Sequence, residues 1–450
     1  MVRTTAVAVT ALALLGSAAP AVAAPATTAS AAPATTGGAI SQDEEITFQR
    51  WSTYQDWRGG THQGTVALPG VRTGITIGRP TGTVDYTDPH TGATKTWSYA
   101  TWTSPLRRVG FDASELVASW NAETPAGTWI QVEMQGTYNT GDHTPWYVMG
   151  RWASGDQDIR RTSVNRQGDP WSTIFTDTFS IDDVTNGVML REYQLRVTLY
   201  RTPGQWRSPR VWMVGAMSSF VPDRFTVPLS KGHIAWGREL AVPRYSQNVH
   251  EGHYPEYDGG GEAWCSPTST EMVVEYWGRR PSEEDTSWVD PTYPDPTVNH
   301  AARMVYDYTY DGAGNWPFNT AYAASFPGLD AFVTRLHSLD DVERLVRAGI
   351  PVITSQSFLA SELDGANYGT SGHLFVVVGF TAEGDVVIND PASSSNDAVR
   401  NVYPREQFET VWLRTKRINA SGGVSGGSGG IAYLIKPWWK PWPQVAGLPR

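Results

Sequence analysis

The chain has 450 residues, 40% of them hydrophobic and 18% charged, which excludes a mostly disordered polymer and leaves room for two or three domains. Its formal net charge of −10 argues against a general nucleic-acid binder. There is one cysteine, so an intrachain disulfide framework and any Cys-pair zinc or iron–sulfur site are excluded. Cys265 is therefore either an inert core thiol or a reactive one.

Residues 1–23 read as a secretory signal peptide: Arg3, an apolar run from Ala6 to Gly16, then a small-residue cleavage site at Ala21-Val22-Ala23. That run is shorter than the roughly 20 residues a spanning helix needs, and no later stretch reaches that length. A secreted, extracellular protein with no membrane contact after signal cleavage is expected. Residues 24–44 are rich in Ala, Thr and Pro and read as a flexible linker.

Residues 45–230 carry β signals only. Tyr193 to Leu199 alternates apolar and polar, as does Thr128 to Gln135, and Val211 to Met217 is a third strand. Turn residues such as Thr124-Pro125-Ala126-Gly127 separate the runs. Short alternating strands predict an all-β sandwich, jelly-roll-like. Eleven of the 20 Trp lie between Trp51 and Trp212, most of them expected in its core. Trp129 shares the polar face of its strand, so it is the candidate for an exposed platform contacting a cell-wall glycan.

A junction is expected at Pro228 to Leu240, and an α+β domain over 241–436. Ser266 to Trp277 predicts a helix, with Pro267 in its first turn and Gly278 after its end. Ser338 to Ala348 predicts another, with Ser338 and Asp341 close to a capping box. Strands are predicted at Pro351 to Ser355, His373 to Phe380, Asp385 to Ile388 and Ile431 to Ile435. A Tyr- and Asp-rich insert lies between Trp277 and Leu339, and residues 437–450 form a Trp/Pro tail expected to pack across the surface. All the net acidity lies in this half: residues 239–450 carry 26 acidic and 15 basic side chains, against 19 and 19 over residues 24–238.

Cys265 follows a glycine run, Gly259-Gly260-Gly261, and stands where a helix begins. A thiol at a helix N-terminus sits in positive partial charge, which favours the thiolate that covalent catalysis needs. The glycines let backbone pass close to a bound chain; Gly261, Trp264 and Gly372 are the expected substrate-binding residues. His373 opens the apolar run HLFVVVGF and is the candidate base. Asn389-Asp390 ends the next strand, one hairpin later, where either side chain could orient that imidazole. Gln247 lies upstream and can donate to an oxyanion together with the Cys265 backbone N–H. His250 and His253 flank Glu251, but no third metal ligand is fixed by spacing, so a substrate-lining or plain surface loop is expected there.

VPRYSQ, WCSPTS, GHLFVVVGF and VVINDPA, in that order, resemble the papain-like clan of cysteine peptidases. The closest likeness is to the bacteriocin-processing (double-glycine) peptidase family and its secreted relatives. The resemblance spans residues 240–436 and implies a papain-like fold, with Cys265 as nucleophile, His373 as general base, Asp390 as its orienter and Gln247 as oxyanion donor. Three features depart from the family pattern. Ser266 stands where Gly is usual, Gln247 and Cys265 are 18 positions apart, and a long insert follows the nucleophile helix. There is no transporter segment, so leader cleavage during export is not carried over. The reading is a secreted cysteine peptidase acting on peptide or protein, needing no cofactor or metal. Its alternatives are transglutaminase-like or cell-wall amidase acyl transfer, and a cell-wall or glycan-binding protein on an inactive peptidase scaffold.

Overall fold

The computed structural model describes residues 43–449, so the leader at 1–23 and nearly all of the linker at 24–44 lie outside the described residues. Glu44, at the end of that linker, already pairs with Arg224 at 2.6 Å. The protein is multidomain and strand-rich, built on several antiparallel sheets with few helices.

Two seven-stranded sheets occupy the first half. One runs Ser172–Phe175, Thr178–Ile181, Glu115–Glu123, Arg210–Phe220, Gly74–Ile77, Thr65–Leu68, with Glu45–Trp51 also on Arg210–Phe220. The other runs Tyr147–Trp152, Thr128–Tyr138, Leu190–Arg201, Thr94–Thr103, Thr61–Gln63, with Gly82–Thr87 and Arg107–Ala113 off this path. Alternation sets the register. Leu195, Val197 and Leu199 stand opposite Met134, Val132 and Ile130, all buried in a core shared with the first sheet. On the other face of the same ladder Arg196 pairs with Glu133 at 2.6 Å.

That second face is not open at Trp129, which corrects the expected platform. Trp129 is 1% exposed and stacks on its cross-strand partner Tyr200 at 3.8 Å between centroids. Trp97, Tyr86, Ala153 and Ile159 complete a small second core over it. A large apolar ring on a nominally polar face was covered by a loop, which alternation alone does not register.

The third seven-stranded sheet runs Leu329–Arg335, Ile431–Pro437, Val352–Phe358, Thr370–Phe380, Val386–Asn389, Arg400–Tyr403, with Arg238–Glu239 on the Thr370–Phe380 strand. The helix Cys265–Tyr276 starts at the cysteine and has Pro267 in its first turn. The helix Leu339–Arg347 has Ser338 at its N-cap, but the hydroxyl makes no capping bond; Asp341 instead accepts from the His337 N–H at 3.2 Å.

The insert after Trp277 is structured. It holds the helices Glu283–Thr286, Pro296–Val305 and Trp316–Ser325 and the edge strand Leu329–Arg335. Trp316–Ser325 is buried almost all round, so it shows no one-sided apolar stripe in sequence. It wedges between the halves, with Phe318 against Trp120 at 6.0 Å and Trp152 at 5.5 Å.

The outer edge of the Leu329–Arg335 strand is closed by side chains of the first half. Asn121 donates to the Ala331 carbonyl at 2.6 Å and accepts from its N–H at 3.3 Å, and Ser119 accepts from the Val333 N–H at 3.0 Å. Buried backbone groups at a sheet edge need partners, and two polar side chains supply them. The tail crosses the surface, with Val445 and Leu448 buried and the Gly447 carbonyl accepting from the Phe48 N–H at 2.9 Å.

The shared packing makes a prediction. Phe318→Ala is expected to cost about 3–5 kcal/mol of unfolding free energy. It should lower the melting of both halves in one transition. Two separable transitions in calorimetry, with only one displaced, would show that the halves fold independently.

Candidate functional site

Cys265 is the first residue of its helix and is half-buried. The turn Gly261–Ala263 delivers it there. Two glycines make that turn. Gly260 has φ +123°, and a Cβ on Gly261 would collide with the Gln247 carbonyl and the His250 backbone. The Gln247 side chain then donates to the Glu262 carbonyl at 2.6 Å, three residues before the thiol. An amide nitrogen has two hydrogens, so one remains beyond that bond.

His373 lies on the Thr370–Phe380 strand opposite Gln356, whose side chain donates to the His373 carbonyl at 3.0 Å. Its Nε2–H donates to Asp390 Oδ1 at 2.9 Å, with both side chains buried. Asp390 follows the Val386–Asn389 strand, which pairs with the histidine strand through Val376 opposite Asn389. Asn389 faces away, donating to the Pro243 carbonyl at 2.9 Å, so Asp390 is the one that meets the imidazole. The Gln247 N–H donates to the Pro391 carbonyl at 2.8 Å, tying the glutamine segment to the end of the aspartate strand.

Burial by itself would push the His373 imidazole down; Cys265 and Asp390 outweigh it and raise it to about 10. Burial would likewise raise the Asp390 carboxyl, but His373, the Ala392 N–H and Tyr403 hold it below the usual carboxylate range. The arrangement can keep a histidine charged beside a sulfur through the neutral range.

The expected substrate-binding residues differ in exposure. Trp264 is wholly buried, its indole donating to the Tyr257 carbonyl at 2.6 Å, so it is a core group closed to substrate. Gly261 is likewise a packing glycine. Gly372 is exposed, with open space where a Cβ would sit. Ser266 is buried and bonded to the Tyr433 hydroxyl at 3.0 Å. His250 is fully buried and burial lowers it to about 4, while His253 stacks on Tyr293 at 3.4 Å. Among the described residues no group of three or more His, Cys, Asp or Glu could hold a metal ion. No helix among them is long and apolar enough to cross a membrane.

Two residues at this centre were not read from sequence. Tyr368 and Tyr403 both donate to Asp390 Oδ2 at 2.8 Å. Tyr403 stands on the strand next to that of Asp390, and a strand count would have brought it near. Tyr368 lies in an irregular segment, where nothing local marks it.

A raised histidine has a consequence for stability. The His373 contribution should be complete below its ordinary value of 6.5 and be lost as pH rises towards about 10. The stability gap between wild type and His373→Gln, from denaturant unfolding in a pH series, should therefore narrow across that window. A constant gap would remove the coupling.

A family model described as the peptidase C39 N-terminal domain matches residues 47–219. A second, the peptidase C39-like family, matches residues 239–420. Among solved structures, a C39-like peptidase from Bacillus anthracis is 20% identical with a TM-score of 0.27, over 44% of this chain and 98% of that one. A structure from work on the promiscuous specificity of carbohydrate-binding modules of the β-sandwich superfamily is 10% identical with a TM-score of 0.17, over 42% of this chain and 58% of that one. No curated protein matches the chain. Two adjoining matches, to the family's N-terminal domain and to its peptidase domain, assign the protein: the chain belongs to the C39-like peptidase family, among the papain-like cysteine peptidases.

Proposed function

We propose that the protein is a secreted cysteine peptidase that hydrolyses peptide or amide bonds at Cys265. In this reading residues 45–230 are a β-sandwich module and residues 241–436 a papain-like catalytic domain, with the leader at 1–23 directing export. The single observation that carries it is the buried His373–Asp390 hydrogen bond of 2.9 Å, with the half-buried Cys265 acting on the same imidazole from the start of a helix.

The chemistry follows from the atoms. The Cys265 thiolate attacks the substrate carbonyl carbon and forms a C–S bond. The oxyanion takes the free N–H of Gln247 and the backbone N–H of Cys265, a first-turn group without a helical acceptor. As the C–N bond breaks, the His373 imidazolium passes its proton to the leaving amine. The neutral imidazole next takes a proton from water, whose oxygen attacks the thioester. The acid product leaves and the thiolate–imidazolium pair is restored. Asp390 stays ionised throughout and holds the ring by Nε2, leaving Nδ1 for the sulfur side.

Peptide-library cleavage read by product mass tests this. Wild type should release peptides carrying one added water at each cut, and Cys265→Ala should release none. Products joined to an added amine would instead mark acyl transfer. Gln247→Ala should lower kcat by about 10²–10³-fold with the cleavage pattern kept. Equal turnover by Cys265→Ala would end the proposal.

A further inference from the structure

We propose that Tyr368 and Tyr403 are positioning residues, two phenols that lock the outer oxygen of Asp390 so that its inner oxygen alone serves His373. The inference rests on the triad reading above and extends it to two residues that no motif marks.

The carboxylate of Asp390 receives four donors. Oδ1 accepts from His373 Nε2 at 2.9 Å and from the Ala392 N–H at 2.9 Å. Oδ2 accepts from the hydroxyls of Tyr368 and Tyr403, each at 2.8 Å. A carboxylate with both edges occupied cannot rotate about its terminal torsion without breaking charge-assisted bonds. Burial and the Asp390 charge raise both phenols, so each remains protonated, and a donor, wherever the enzyme works.

The two tyrosines approach from different elements. Tyr403 ends the Arg400–Tyr403 strand and is 1% exposed, its ring 5.6 Å from Phe375. Tyr368 lies in the segment joining the Val352–Phe358 and Thr370–Phe380 strands. Its ring meets the His373 imidazole edge-on at 5.7 Å and 83°, and Phe358 at 5.4 Å, so it also shields the His373–Asp390 bond from water. That segment is itself clasped. Glu362 accepts from both Arg414 Nη1 at 2.6 Å and Nη2 at 2.8 Å, and Asp364 accepts from the Gln407 side chain at 2.9 Å. The titratable groups facing Asp390 are thus His373, Tyr368 and Tyr403, with Cys265 beyond the imidazole.

Removing a hydroxyl while keeping the ring isolates this role. Tyr368→Phe, Tyr403→Phe and the double variant are compared with wild type in the full chain. The readouts are the pH profile of Cys265 alkylation by iodoacetamide and the NMR titration of His373. With fewer donors, a buried carboxylate ionises only at higher pH and is free to turn from the ring. The acid limb of alkylation is expected to rise by about one pH unit per hydroxyl, and His373 to lose its proton at lower pH. In an Asp390→Ala background the same Phe substitutions should move neither profile. A purely structural role would lower the melting temperature and leave both profiles in place, which overturns the inference, as does a shift that persists without Asp390. Wild-type Cys265 that alkylates no faster than a free thiol overturns the triad reading. The His373 titration then decides the tyrosine role separately, and an unshifted imidazole in the Phe variants overturns it.

Discussion

A histidine and an aspartate buried together have no water to carry their charges, so everything around them must do so. Removing two such groups from solvent costs several kcal/mol each unless geometry and further hydrogen bonds restore it. Here the return comes from the 2.9 Å bond between them, from the Ala392 N–H and from the two tyrosine hydroxyls. The requirement reaches outward. The Thr370–Phe380 and Val386–Asn389 strands must keep one register, since a slip by one residue would turn His373 to the opposite face. The helix carrying Cys265 is held to the histidine strand by the Ser269 hydroxyl on the Leu374 carbonyl at 3.1 Å.

The first half of the chain contributes to that rigidity through the far edge of the same sheet. Its Asn121 and Ser119 finish the hydrogen bonding of the outermost strand of the third sheet. Arg161, fully buried, donates to the Ala153 and Gly155 carbonyls at 2.9 and 2.6 Å and to the Arg303 carbonyl at 2.7 Å, at the end of the Pro296–Val305 helix. Burial pulls this guanidinium down to about 10, and the carbonyl dipoles around it compensate for lost hydration. The insert between nucleophile helix and third sheet is thus the mortar between the halves. Its Asp307 is buried under four N–H groups, from Ser163, Thr309, Tyr310 and Asn315, the first of them from the N-terminal half.

Much of the candidate site was legible because a reactive thiol, a base and a group that orients the base are each expected at the end of an element. Cys265 at a helix start, His373 at the head of an apolar run and Asp390 just past a strand end each carry a local signal; the structure bonds His373 to Asp390, with Cys265 acting on the same imidazole, and starts the histidine strand three residues earlier, at Thr370. Long alternating strands were legible for the same kind of reason, since one face must be apolar. The insert was not. Its Trp316–Ser325 helix is buried on all sides, so periodicity vanishes where burial is complete. Trp129 shows the converse, a polar-face residue covered by a distant loop. Trp264, beside the nucleophile in sequence, points into the core, because consecutive residues at a helix entry diverge in direction.

The sequence by itself determined that this chain holds one thiol, that no second cysteine in it can consume that thiol, and that it precedes a helix in a four-motif order. Those properties belong to residue identity and short-range geometry. Tertiary structure alone decided that Asp390 and not Asn389 meets the histidine, that two tyrosines from separate elements complete the carboxylate, and that Trp129 is covered. Each is a contact between segments whose separation along the chain is arbitrary. Only the closing of the sheet, driven by burial of its apolar faces, brings those partners within bonding distance.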